Sequence, residues 1–276
     1  MNVVSLALYG QESLYWGSLL PVILGHHHVF PGWELWLHHD ERAWGHPLGA
    51  VLRELDREGA VTTFNMGSGG SSREMLWRML PCWSPFVDRV VCRDLDCLPC
   101  AKDRRLVEAW IRSGLPVHAI SDNPAHTGHL MGGMCGFHAP VFRTLTRLES
   151  YEDFLALEHA DAWGERGGDQ QHLNQHVWPR VVGAVCEHRL HGQPPDPLNP
   201  PQDWAAALVA PLPDVDSAVG ASSDAILNHL GQAGFDVRRA MALFLARPAP
   251  INEQVLQAVK GSPMAREYLR RWEVEL

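Results

Sequence analysis

The sequence predicts an α/β fold: a mostly parallel sheet flanked by helices, with a helical C-terminal extension. Three observations carry that expectation. Short β-rich runs alternate with helical patterns from residue 3 to residue 120. Glycines and prolines mark the changes of pattern, as at Gly10, Gly59, Pro81 and Gly114. Beyond about residue 190 a proline-rich stretch gives way to two further helical patterns.

Taken in order, residues 3–9 read as a buried strand stopped at Gly10. Residues 13–29 follow as a helix, with Tyr15, Leu19, Leu20 and Ile23 near helical spacing. Trp33–His38 is a second strand, ended by Asp40-Glu41-Arg42. A helix at 47–58 is closed by Gly59, and Ala60–Phe64 forms a third strand. Gly67–Ser72 is a loop, and 72–80 a helix that stops before Pro81. Val87–Cys92 is a strand, 102–113 a helix closed by Gly114, and Val117–Ile120 another strand. Val181–Cys186 is strand-like, residues 194–213 form an extended connector, and 222–245 and 251–273 are helical. The division expected is 1–193 for the main domain, 194–216 for the connector and 217–276 for the extension.

Composition narrows the function classes. Lys+Arg is 23 against Asp+Glu 32, a formal charge of −9, which speaks against a broad nucleic-acid or anionic-membrane footprint. Lys102 and Lys260 are the only lysines, so positive sites are arginine forks suited to phosphate and carboxylate. Six cysteines are too few for a disulfide scaffold, and Cys97-Leu-Pro-Cys100 has no second pair to complete a zinc clip. Reduced thiols, an N-terminus without a basic leader and the lack of a long apolar run together predict a cytoplasmic protein without a transmembrane segment. His26-His-His28 reads as a solvated helix end.

The stretch that carries chemistry is Val87-Asp-Arg-Val-Val-Cys-Arg-Asp-Leu-Asp-Cys97. Residues two apart in extended geometry share a side, so Asp94 and Asp96 can converge where this strand ends. In open α/β sheets ligands sit at that carboxyl edge. Two carboxylates facing one point repel unless a hard divalent ion lies between them, and Mg²⁺ or Mn²⁺ leaves positions for phosphate oxygens. A bare Asp-x-Asp is weak evidence: Asp214-Val-Asp216 has the same pattern with no strand to present it.

An ordered set of segments strengthens the reading. Leu6-Ala-Leu-Tyr-Gly10, Trp77-Arg-Met-Leu-Pro81, Val90-Val-Cys-Arg-Asp-Leu-Asp96, Glu108-Ala-Trp-Ile-Arg-Ser113 and His118–His126 come first. Leu130-Met-Gly-Gly-Met-Cys-Gly136 and Asp169-Gln-Gln-His-Leu-Asn-Gln-His-Val-Trp-Pro179 follow. Across roughly residues 3–190 this set resembles a family of GT-A-type glycosyltransferases that build or decorate polysaccharides and glycans. Two positions depart from its pattern. Cys97 stands where small hydroxyl residues are common, and Cys135 where an aromatic is common.

The resemblance implies a Rossmann-like catalytic domain that moves a sugar from a nucleotide-sugar donor, UDP-linked in preference to GDP-linked, to a hydroxyl on a glycan or other acceptor. It implies that Leu8, Tyr9 and Gly10 hold the base and ribose, with Tyr15 beside them. Asp94 and Leu95 would face the ribose or donor sugar, and Asp94 and Asp96 would hold Mn²⁺ or Mg²⁺ at the diphosphate. His188 or His191, after the last strand, would complete the metal set. Arg78 and Arg93 each have two readings, a structural ion pair or a diphosphate clamp. Gly132-Gly133 is a tight turn, a site of close strand packing, or a place where backbone approaches the donor sugar. Asp122 and His126 border the acceptor side unless they form only a local Asx turn. Asp169 caps a helix or, with Gln170, lies in the donor-sugar pocket, where its carboxylate binds hydroxyls or acts as general base. Two rivals remain: a metal-dependent nucleotidyltransferase, disfavoured because Leu8-Tyr-Gly-Gln-Glu12 has no cation, and a non-catalytic binding protein on the same fold.

Overall fold

The computed structural model describes residues 1–11, 13–46, 48–97, 99, 101–122, 128–157, 167–189 and 208–211. Eight strands form one sheet in the order β3-β2-β1-β4-β6-β5-β7-β8. They are β1 (Asn2–Leu8), β2 (Glu34–His39), β3 (Thr62–Asn65), β4 (Arg89–Arg93), β5 (Val117–Ser121), β6 (Met134–His138), β7 (Val185–Arg189) and β8 (Leu208–Pro211). Every pairing is parallel except those of β6, which runs antiparallel to both β4 and β5. β6 was not foreseen in the sequence, where Gly132-Gly133 read as a turn. Its residues Met134–Phe137 are buried between two strands, and glycine at Gly136 fits a strand whose β4 neighbour leaves little room for a Cβ.

The helices sit on both faces. α1 (Ser13–Val29), α2 (Gly49–Arg57) and α3 (Ala101–Ser113) accompany one core. There Trp16, Leu19 and Ile23 of α1 meet Val4, Leu6 and Leu8 of β1 and Val107 and Trp110 of α3. The other core joins Val90 and Cys92 of β4 to Phe137, Phe142 and Leu173. α4 (Ala139–Thr146), α5 (Tyr151–Leu155), α6 (Gly168–His172) and α7 (Trp178–Val181) come from the second half of the chain. Gly59 and Gly114, at φ 71° each, end α2 and α3 in the left-handed conformation that only glycine adopts without strain.

Three expectations change. The segment 72–80 is a 3₁₀ helix that runs through Pro81 to Trp83. Ser71 and Glu74 cap its start reciprocally, and its end is held from outside: Trp83 Nε1 donates to Leu148 O at 3.0 Å and Arg143 Nη1 to Cys82 O at 2.5 Å. Tertiary contacts therefore carry the chain past the proline. Residues 178–181 are helical, and the last well-packed strand is displaced to Val185–Arg189. Two of the three histidines are not free in solvent: His26 is buried against Phe30, neither of its ring nitrogens has a hydrogen-bond partner among the described residues, and His27 Nε2 meets the Ala60 carbonyl. Burial holds the His26 ring neutral well below the usual imidazole range.

The proline-rich segment contributes β8, which pairs with β7. The expected helices at 222–245 and 251–273, and with them the 217–276 extension, lie outside the described residues. Among the described residues no helix is long and apolar enough to cross a membrane. The five described cysteines are free and buried.

Candidate functional site

The strand order reverses between β1 and β4: β2 and β3 follow on one side of β1, and β4 lies on the other. A crevice opens at the carboxyl ends of such strands. β6 runs the other way, so the loop that precedes it arrives at the same edge. Its register sets Arg93 opposite Met134 and thereby places Asp94 beside Gly133. A Cβ on Gly133 would collide with the Asp94 carboxylate, and one on Gly132 would strike Asp169 and Arg78. Glycine is required at both positions by this close approach, not by an unusual φ.

Asp94 and Asp96 do converge, although by a different route from extended alternation. The chain turns after β4, with Cys97 N donating to Asp94 O at 3.3 Å. That turn brings one carboxylate oxygen each from Asp94 and Asp96 and the Cys97 sulfur within 4.8 Å of one another. Burial first, and the Asp94 charge second, raise the Asp96 carboxyl above its ordinary range. Burial also raises the Cys97 thiol, with Asp94 and Asp96 adding to it.

Alternation along β4 separates the neighbours Arg93 and Asp94. Val91 belongs to the α1–α3 core, whereas Val90 and Cys92 belong to the other. Arg93 follows Val91, and its guanidinium forms a two-point pair with buried Asp103 of α3, at 2.9 Å and 2.6 Å. Its remaining nitrogen donates to the Cys92 and Cys135 carbonyls. The diphosphate-clamp reading of Arg93 is therefore corrected: every nitrogen of the fork is used inside the protein.

Asp94 lies on the opposite face, where Arg78 comes down from the 3₁₀ helix. Arg78 Nη1 donates to Asp94 Oδ1, and Nη2 to Asp169 Oδ2 at the start of α6. The guanidinium is buried, and Cys92 Sγ ties the Arg78 carbonyl to β4 at 3.4 Å. Burial alone would loosen the arginine's proton, but Asp94 and Asp169 reverse that and raise its pKa. Asp169 makes no cap hydrogen bond; the cap position of α6 belongs to Gly167 at φ 90°. Its carboxylate is turned to Arg78 instead. Gln170, half-buried, follows it on the same short helix.

Four groups at this edge were not foreseen as site residues. Asn174 accepts from Leu130 N at 3.0 Å and donates to Leu130 O at 2.9 Å and Gln170 O at 2.7 Å, which fastens the glycine loop to α6. Asp40, at the end of β2, accepts from Gly10 N at 2.9 Å and from Arg42 Nε at 2.7 Å. Asp103 fixes Arg93. The sulfur of Cys97 is the fourth. The carboxyl-edge rule pointed to Asp40, but Asp40-Glu41-Arg42 read only as a strand end.

On the β1 side, Gly10 turns the chain at φ 76°, with Trp16 Nε1 donating to its carbonyl at 3.1 Å. Tyr9 and Tyr15 are half-buried. The side chains of Leu8 and Leu95 are core residues, so the expected contacts of both to a donor are corrected to backbone ones at most. His188 is not past the last strand but inside β7, three strands away from β4, edge-on to His118 at 5.2 Å. It does not join Asp94, Asp96 and Cys97, so its metal role is corrected as well. Asp122, at the end of β5, is buried and paired with Lys102 Nζ at 2.7 Å, and the residues that follow it, 123–127, lie outside the described residues. His126 and His191 lie outside the described residues.

No known protein family matches the chain, and no curated protein does. Among solved structures the fold is similar to a mannosyltransferase from Pyrobaculum calidifontis in complex with GDP-Man and Mn²⁺, at 14% identity and a TM-score of 0.44, covering 98% of this chain and 78% of that one. S. aureus TarS 1–349 with UDP-GlcNAc gives 10% identity and a TM-score of 0.42 over 98% and 72%. A 4-diphosphocytidyl-2C-methyl-D-erythritol synthase from Anaerococcus prevotii gives 10% and 0.43 over 68% and 86%. Likeness at this level carries no functional weight, and the chemistry rests on the side chains described above.

Proposed function

We propose that this chain is a metal-dependent glycosyltransferase of the GT-A type, which moves a sugar from a nucleotide-sugar donor, UDP-linked, to a hydroxyl of a glycan or other acceptor. One observation carries the reading: Asp94 and Asp96 meet in a turn at the switch point of the sheet, and a shared arginine holds Asp169 beside them. The donor set suits a divalent ion. Two carboxylates within 4.8 Å of each other, one of them pushed toward its neutral form by burial and then by the other's charge, are relieved by a cation between them.

Asp94 and Asp96 would hold Mn²⁺ or Mg²⁺. When bound, such an ion supplies positive charge to a departing nucleoside diphosphate. The protein's own contribution is positional. Arg78 fixes the orientation of Asp94 and Asp169 at once, so neither carboxylate swings when a donor enters. Gly132 and Gly133 let the loop before β6 lie close against both. Asp169 keeps Oδ1 for a sugar hydroxyl, or for the proton of the acceptor hydroxyl if configuration is inverted. Gly10, Tyr9 and Tyr15 lie where base and ribose would extend along the β1 end, with Asp40 bracing the Gly10 amide. Asp122 and His126 are assigned to the acceptor side, and residues 1–193 to the catalytic unit.

A screen of nucleotide sugars for Mn²⁺-dependent hydrolysis, run on the wild type and on Asp96→Asn, tests this. The expected result is turnover of one donor and a loss of at least ~100-fold in the variant. Pyrophosphate release from a nucleoside triphosphate and a sugar phosphate would instead identify a nucleotidyltransferase. Metal-dependent UDP binding without turnover would identify a binding module.

A further inference from the structure

We propose that Cys97 is a third protein ligand of the metal site, so that the site prefers a thiophilic divalent ion, of the Zn²⁺, Co²⁺ or Cd²⁺ class, over Mg²⁺. The inference rests on the metal-site reading above and names the ion class it takes.

Geometry comes first. The turn from Asp94 to Cys97 places residues one, three and four of a single bend around one point. Asp94, Asp96 and Cys97 form the only group of three or more such side chains found among the described residues. In a tetrahedral site with sulfur at ~2.3 Å and oxygen at ~2.0 Å from the ion, the sulfur–oxygen edge is about 3.5 Å. The distance from Cys97 Sγ to Asp96 Oδ1 is 3.4 Å. That contact is a thiol-to-carboxylate hydrogen bond here, its length is close to the edge that two ligands of one ion share, and an Asp94 oxygen lies within 4.8 Å of both atoms.

The sulfur's surroundings point the same way. Cys97 is only 7% exposed, and its Sγ donates to Asp96 Oδ1 with an Asp94 oxygen within 4.8 Å, while Leu95, two residues earlier, packs into the apolar core. A thiolate there would be repelled by two like charges, unless a cation is shared among all three. Oxygen-only sites suit Mg²⁺ and Mn²⁺, whereas a thiolate selects softer ions. On loading, the Cys97 S–H bond breaks, the sulfur forms a bond to the ion, and one proton leaves to solvent.

Cobalt titration of the full chain provides the test, because thiolate ligation to Co²⁺ gives a charge-transfer band in the near ultraviolet that oxygen ligation does not. Co²⁺ is expected to produce the band in the wild type, and Zn²⁺ to displace it at concentrations at least ~10-fold below those of Mg²⁺. In Cys97→Ser the band is expected to vanish, while calorimetry still detects Co²⁺ bound ~10-fold or more weakly. Cys97→Ala repeats the test should the serine variant fold poorly. X-ray absorption of the zinc-loaded wild type gives an independent reading, a single sulfur shell at ~2.3 Å. Co²⁺ bound with no such band, or a band that survives both substitutions, overturns the role of Cys97 and leaves the carboxylate site standing. No divalent ion bound at all, with Asp96→Asn indistinguishable from wild type, overturns the metal site itself.

Discussion

Arg78 and Asp169 are 91 positions apart in the chain and meet in a buried ion pair, with the same guanidinium reaching Asp94 through its other nitrogen. The arrangement makes one cation the fixed point of the candidate site. Taking these charges out of water is unfavourable unless each is matched, so the loss of the arginine alone leaves a carboxylate that is 5% exposed without a partner. Arg78→Met is expected to lower stability by about 3–5 kcal/mol in urea denaturation. Arg78→Lys is expected to recover part of that and still lose donor affinity, because a point charge cannot hold two carboxylates apart in a fork.

Gly133→Ala is expected to weaken divalent-metal binding by ~10-fold or more while the fold persists. The new methyl must displace Asp94, whose carboxylate occupies its space. Gly70→Ala, where nothing lies within 4 Å, serves as the control. Calorimetry with Mn²⁺ on both variants decides; equal affinity in the two would mean that Asp94 does not bind the ion.

Asp96→Asn is expected to abolish stabilisation by metal without unfolding the chain, since this carboxylate sits at the turn and not in the core. For the wild type, an ion present at 100 times its dissociation constant adds ~2.7 kcal/mol. Thermal denaturation with and without Mn²⁺ should show that upward shift only in the wild type.

Arg93→Met is expected to destabilise the fold by about 3–5 kcal/mol and to leave nucleotide affinity unchanged. The pair with Asp103 is nearly fully buried, at 3% and 1% exposure, so its partner is left stranded. The double change with Asp103→Leu should restore most of the stability. A loss of UDP affinity in the double variant would return Arg93 to the donor site.

Stability is expected to fall as pH drops from about 6.5 toward 4. Burial holds the imidazoles of His38 and His188 down to about 4, against an ordinary value of 6.5. Between those values the unfolded chain binds more protons than the folded one, so acid favours unfolding. Above 6.5 both states are neutral and the effect is complete; below 4 both are charged and it is spent. Each ring contributes on the order of 1–3 kcal/mol. Urea denaturation at three pH values within the window measures the slope, and replacing both rings with leucine should reduce it, the remainder belonging to other buried histidines such as His26 and His118.

Local pattern was enough for much of this molecule. The run 3–9, the helix 13–29 with Leu19 and Ile23 on its buried side, and the glycine stops at 59 and 114 all follow from period, propensity and φ, which are properties of neighbouring residues. The structure gathers Asp94, Asp96, Gly132-Gly133 and Asp169 at one edge, and the family resemblance singles out the same residues. Which partner each of these side chains takes was not legible. Arg78 and Arg93 looked alike in sequence, two arginines near acidic residues. Only strand alternation and the reversed register of β6 sent Arg93 inward to Asp103 and left Arg78 to span Asp94 and Asp169. The same limit hid Asn174 and the sulfur of Cys97, and it placed His188 within β7, away from the carboxylates. Spacing determines local geometry, but an ion pair across 91 residues exists only once the sheet has closed the distance, and that closure is a cooperative result of packing on both faces.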